Sequence, residues 1–139
     1  MDYENKLNIM KDLNDIDLKA FMENDSEIEI ENTLKYSAFN GYTKIVKNIL
    51  EYKKFSFDIM YDLVVYSAGK NHPETLKVIL KNIDDLYKYN FNEALTYSLV
   101  CGNERCIKIL IPISDLDYLD KKSYEAMKKN GTENCLRFF

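Results

Sequence analysis

The sequence predicts an all-α domain of short helical hairpins stacked in line. Three observations predict it. Motifs recur along the chain at steps of 30, 31 and 29 residues, marked by Gly41, Asn71, Gly102 and Gly131. Such a period belongs to stacked-repeat architectures, in which each unit hides its apolar face against the next. Within each copy the apolar residues follow helical spacing on both sides of a turn. The composition is 46% apolar and 30% charged, with four Gly and two Pro in 139 residues. That balance suits one globular domain without long flexible linkers.

Residues 1–32 read as acidic N-terminal capping helices. Leu7, Met10 and Leu13 space one short helix, and Leu18, Phe21 and Met22 a second. Residues 33–62, 63–93 and 94–122 read as three repeats. In the first, Leu34, Ser37, Ala38 and Gly41 share one face, and the small residues allow a neighbouring helix to approach closely. Gly or Asn at 41, 71 and 102 tolerates the left-handed conformation that ends a helix. The following helices open at Thr43, Pro73 and Glu104, with proline suited to a first turn. They run apolar through Ile45, Val46, Ile49 and Leu50, or through Leu76, Ile79 and Leu80. Pro112 stops the third copy after Ile111. Residues 123–139 read as a C-terminal half-repeat cap, with a turn at Asn130-Gly131 and with Phe138 and Phe139 docked on the last full repeat. The alternative is that these two rings form an exposed contact.

The three in-phase copies resemble the ankyrin repeat. Leu34, Ser37, Ala38, Gly41, Ile45, Val46, Lys47, Ile49 and Leu50 fit its slots. So do Val64, Ser67, Ala68, Leu76, Lys77, Ile79 and Leu80, and Leu95, Ser98, Gly102, Ile107, Lys108, Leu110 and Ile111. The Thr-Pro-Leu-His opening is missing, since its histidine slot holds Lys35, Val65 and Thr96. The period is shorter than the usual 33. The resemblance therefore implies an ankyrin-like helical-hairpin repeat solenoid with shortened or missing β-hairpin fingers. It also implies binding to a protein partner through the concave face. Arrays of this look are frequent in large DNA viruses and AT-rich microbes, and the abundance of Asn, Ile and Tyr points the same way.

No catalytic grouping is legible. His72, before Pro73, reads as a structural turn residue. Cys101, Cys106 and Cys135 form no C-x-x-C pair, and one histidine cannot complete a zinc site at ordinary spacing. They read as reduced thiols, with Cys106 and Cys135 in the core. Asp84, Asp85, Asp115, Asp117 and Asp120 lack the glycine and closing glutamate of a calcium loop. No phosphate-cradling glycine loop occurs. The expectation is no enzyme activity, no cofactor and no metal.

Charge is unevenly spread. Residues 1–32 hold ten acids and three bases, and the remainder sixteen bases and thirteen acids. An acidic first quarter repels phosphate, so no nucleic-acid partner is expected. No stretch reaches the ~20 apolar residues that span a bilayer. The N-terminus lacks the order of a secretory signal. A cytoplasmic protein is expected, in the host cytosol if viral, with a monomer favoured and self-association through Phe138 and Phe139 left open.

The candidate partner-binding residues are Tyr36, Tyr66 and Tyr97. They recur in register opposite the core face of their helices. Tyrosine combines area, stiffness and a hydroxyl, which suits a binding hot spot. The rings either form an exposed ladder or pack on the adjacent repeat. Lys47, Lys77, Lys108 and Arg137 make a second row, read as a solvated outer face. The connector aromatics Tyr52, Phe55, Phe57, Tyr61, Tyr87, Tyr89 and Phe91 either seal the loops or face a partner. The sequence thus predicts a small protein-interaction module. Its alternative is a stoichiometric inhibitor, an immunity or antitoxin-like protein that blocks a basic toxin.

Overall fold

Four of the short helices start where a side chain satisfies a free backbone amide, and the helices that follow the hairpin turns do without one. Asp2 and Asn14 accept from the third amide of their helices, and Ser26 does the same in a capping box closed by Glu29. A computed structural model describes residues 2–114 together with Glu125, Lys128 and Lys129. These residues are all-helical, with no strand among them. The helices are α1 (Tyr3–Met10), α2 (Asp15–Met22), α3 (Glu27–Asn40), α4 (Thr43–Tyr52), α5 (Phe57–Gly69), α6 (Pro73–Lys81), α7 (Asn92–Cys101) and α8 (Glu104–Leu110). Short 3-10 turns cover Leu86–Lys88 and Ile111–Ile113. None of these helices is long and apolar enough to cross a membrane.

The helices lie in two layers. α1 packs on α3, α3 on α5 and α5 on α7. In the second layer α2 packs on α4, α4 on α6 and α6 on α8. The pairs α3–α4, α5–α6 and α7–α8 close on themselves as hairpins. The three turns share one backbone. Gly41, Asn71 and Gly102 have φ of 75°, 61° and 72°. Tyr42, His72 and Asn103 each donate from the backbone to Ser37, Ser67 and Ser98, at 2.9, 2.8 and 2.9 Å. Gly41, Asn71 and Gly102 donate to Ala38, Ala68 and Leu99. Both bonds of the Schellman motif are thus made in every hairpin.

The same register governs burial. Leu34, Ser37 and Ala38, their counterparts Val64, Ser67 and Ala68, and Leu95, Ser98 and Leu99 have no exposed surface. In the second layer Ile45, Val46 and Ile49 match Thr75, Leu76 and Ile79, and then Cys106, Ile107 and Leu110, all buried. The core is one continuous cluster running from Leu7 and Met10 to Ile111. Among the described residues no buried side-chain nitrogen or oxygen lacks a partner.

The connectors are short and dissimilar. Residues 53–56 have no regular structure, with Lys53 and Ser56 extended, whereas residues 82–91 carry the 3-10 turn and a left-handed Asp85. The question left open for their aromatics resolves for four of them. Phe57 stacks on Tyr89 at 3.6 Å between centroids, Tyr61 stacks on Phe91, and Phe91 is fully buried. They seal the connector against α5. Burial and the neighbouring Glu93 push the Tyr61 phenol up to about 12. Tyr52 is instead exposed, with the Lys19 ammonium 5.6 Å from its ring.

α3 starts at Glu27, inside the stretch read from sequence as cap. The expected turn at Asn130-Gly131, together with Asp115, Asp117, Asp120, Cys135, Arg137, Phe138 and Phe139, lies outside the described residues.

Candidate partner-binding face

In the first helices, positions one turn apart and opposite the buried serine point away from the core. Tyr36 and Tyr97 are each 49% exposed, and Phe39 and Val100 each 43%. Tyr66, between them in register, is half-buried. The three tyrosines are thus partly packed and partly exposed. The Tyr36 and Tyr66 rings lean on the preceding helix, and all three side chains keep part of their surface in water. Tyr36 stacks on Tyr3 with centroids 5.0 Å apart. Tyr66 meets Phe39 edge to face at 6.2 Å. Tyr97 sits over Gly69, where an added Cβ would lie 3.8 Å from its own. The ring contacts of Tyr36 and Tyr66 reduce the side-chain entropy that binding would cost there.

Between α3 and α5 the face opens into a groove of about 330 Å³, lined by Asn32, Lys35, Tyr36, Phe39 and Tyr66. The Lys70 ammonium lies 4.7 Å from the Phe39 centroid, within cation–π range. Lys35 pairs with Glu31 at 3.3 Å, one turn away on α3. The groove therefore offers aromatic surface with amines at its border. Tyr3, Phe39 and Val100 escaped the sequence reading. Phe39 and Val100 share one register position, three residues after each tyrosine, and that spacing was the available signal.

The other candidates have structural roles. His72 is set against Gly41, and its Nε2 lies 3.0 Å from the Phe39 carbonyl. Its counterpart Asn103 donates to the carbonyls of Ala68 and Gly69 at 2.9 and 3.2 Å. Each thus ties its hairpin to the end of the preceding first helix. Cys106 is buried, and desolvation pushes its thiol up to about 11, so it stays protonated at neutral pH. Cys101 is exposed beside the Gly102 turn. Lys47, Lys77 and Lys108 are exposed, and Lys77 and Lys108 pair with Glu74 and Glu104 of their own helices. Among the described residues no three His, Cys, Asp or Glu converge as metal ligands.

The acidic first quarter is largely committed to folding. Asp2 caps α1, and Glu4, Asp15, Asp17, Glu27 and Glu29 occupy first turns, where a helix favours negative charge. The Ser26 hydroxyl and amide hold Glu29 below the usual carboxylate range. Asp25 pairs with Lys6 at 2.5 Å in a half-buried setting, and Glu31 with Lys35.

Comparison with family models, curated proteins and solved structures found no match to the chain.

Proposed function

We propose that the chain is a non-enzymatic protein-interaction module, an ankyrin-like array that grips a protein partner across its first helices. The observation that carries this reading is the row Tyr36, Phe39, Tyr66, Tyr97 and Val100, aromatic and apolar side chains shown on one face. Contiguous exposed aromatics mark interaction sites far more often than scattered single ones. Shared turn geometry and the stacking order of α3 to α8 support an array that presents such a row at regular spacing. The reading of a small viral or microbial factor acting in the cytoplasm goes with it. The alternative, an inhibitor of a basic toxin, drew on the acidic first quarter. Eight of those ten acids serve helix starts or ion pairs, so the aromatic row is the stronger support.

The test compares the wild-type chain with the triple variant Tyr36→Ser, Tyr66→Ser, Tyr97→Ser as baits in lysate of the native cell. Circular dichroism checks that the variant keeps its helicity. A protein retained by the wild type and lost from the folded variant supports the reading. Equal retention by both, or retention by neither, overturns it.

A further inference from the structure

We infer that the groove between α3 and α5 takes an acidic peptide segment with an apolar anchor, its carboxylates lying toward the hairpin turns. The inference rests on the proposed binding face and names what fits there. The lining carries aromatic surface from Tyr36, Phe39 and Tyr66, and one amine from Lys35 that Glu31 already pairs from one turn away. A pocket of this size accepts one bulky side chain, and its few polar groups set the orientation. Lys70 supplies a second amine, held against the Phe39 ring at the border. Among the described residues it forms no ion pair.

Charge is also ordered along α5. Asp62 lies one turn before Tyr66 and Lys70 one turn after it, so the basic end of the groove is the end at the turns. A carboxylate flanking the anchor meets the Lys70 amine there, and a lysine in that position meets a like charge. Two other clefts do not share this pattern. The cleft of about 360 Å³ holds Lys53, Lys54 and Lys81 at the C-terminal ends of α4 and α6, where lysine already offsets the helix dipole. The cleft of about 280 Å³ between α2 and α4 mixes Asp15, Glu51 and Lys19.

The experiment uses three short labelled peptides that share a central Leu-Phe pair and carry Asp, Asn or Lys on both flanks. Fluorescence anisotropy at low salt measures their affinity for the full chain. The wild type binds the Asp-flanked peptide about fivefold more tightly than the Lys-flanked one, as expected for exposed charge pairs. Lys70→Glu reverses that order, and Phe39→Ser removes binding of all three, with circular dichroism confirming the fold of each. Equal binding of the three peptides, an unchanged order in Lys70→Glu, or binding that survives in folded Phe39→Ser overturns the inference. So does binding by none of them. The binding face itself stands or falls separately, by the triple tyrosine variant and the native partner.

Discussion

The hairpin turns and the connectors between hairpins both reverse the chain, and they are held by opposite means. The three turns share φ, both Schellman hydrogen bonds and the position of the next helix start. Their geometry is satisfied by backbone groups, so it survives changes of side chain from Gly41 to Asn71. The two connectors at 53–56 and 82–91 share no such pattern. The second is fastened by particular rings, Phe57 on Tyr89 and Phe91 against Tyr61. Backbone-satisfied segments can recur with little sequence identity. Segments held by side chains are free to differ in every copy.

The largest effect should come from a connector. Phe91→Ala removes a fully buried ring and two of its ring partners' contacts, at a cost of about 3–5 kcal/mol. Urea unfolding followed by circular dichroism reads it. A loss below about 1 kcal/mol would mean that this connector is not fastened by its rings.

Next comes the first turn. At Gly41 an alanine must adopt φ 75°, and its Cβ would lie 2.4–2.8 Å from three atoms of the His72 ring. The left-handed conformation alone costs about 1–2 kcal/mol, and displacing the ring brings the expected total to about 2–3 kcal/mol. In a His72→Ala background the same substitution should cost only the conformational part. The double-mutant cycle isolates the ring contact. Additive losses would show that the turn and His72 are independent.

Alkaline titration separates the two regions by one buried and one half-buried acid. Cys106, behind the Asn71 turn, is raised to about 11, and Tyr61, in the connector cluster, to about 12. Both folded-state values lie above the unfolded ones, so the unfolded chain ionises first. The stability they contribute is full below pH 9 for Cys106 and below pH 10 for Tyr61. It is lost as pH rises toward 11 and 12 respectively. For Cys106 the loss is of the order of 2 kcal/mol. Cys106→Val should flatten the stability curve in the lower window and Tyr61→Phe in the upper. A curve unchanged by either substitution would contradict this assignment.

Much of the turn region was legible in the sequence, and little of the connectors was. Helix starts at Thr43, Pro73 and Glu104 and the buried registers followed from spacing, because each repeated residue meets a repeated neighbour. The start of α3 was readable too. Ser26 and Glu29 form an S-x-x-E capping box, a signal passed over because the repeat alignment began later. The ring cluster of Phe57, Tyr61, Tyr89 and Phe91 was not legible. Its members come from one connector and the start of α5, about thirty residues apart, and no local pattern says which rings meet. At the candidate face the tyrosines were found by recurrence. Phe39 was missed because its counterparts are Gly69 and Val100, residues of different character that share only a position.

A smaller effect tests the ties between hairpins. Asn103→Ala removes the amide donor from the Ala68 and Gly69 carbonyls and leaves Ala68 only the longer bond from the Ser98 hydroxyl, at a cost of about 1–2 kcal/mol. Asn103→His should recover part of it, since histidine makes the equivalent tie to Phe39 one hairpin earlier. Thermal unfolding of the pair reads the difference. Failure of the histidine variant to exceed alanine would show that the two hairpins are tied differently.

The smallest expected change is the sharpest test of what the two regions share. Asn71 in a turn and Asp85 in a connector are the two non-glycine residues with left-handed φ among those described, at 61° and 54°. Glycine relieves the conformational cost at such a site but adds freedom to the unfolded chain, and the two effects nearly offset. Asn71→Gly and Asp85→Gly should therefore each stay within about 0.5 kcal/mol of the wild type. Losing the exposed Lys88–Asp85 pair adds little. Alanine separates the positions from ordinary surface sites, because it keeps the strain without the local hydrogen bonding of Asn or Asp, at about 1 kcal/mol. If Asp85→Ala were neutral while Asn71→Ala was not, the connector would be relaxing to another conformation. The backbone of the turns would then be the more firmly imposed of the two.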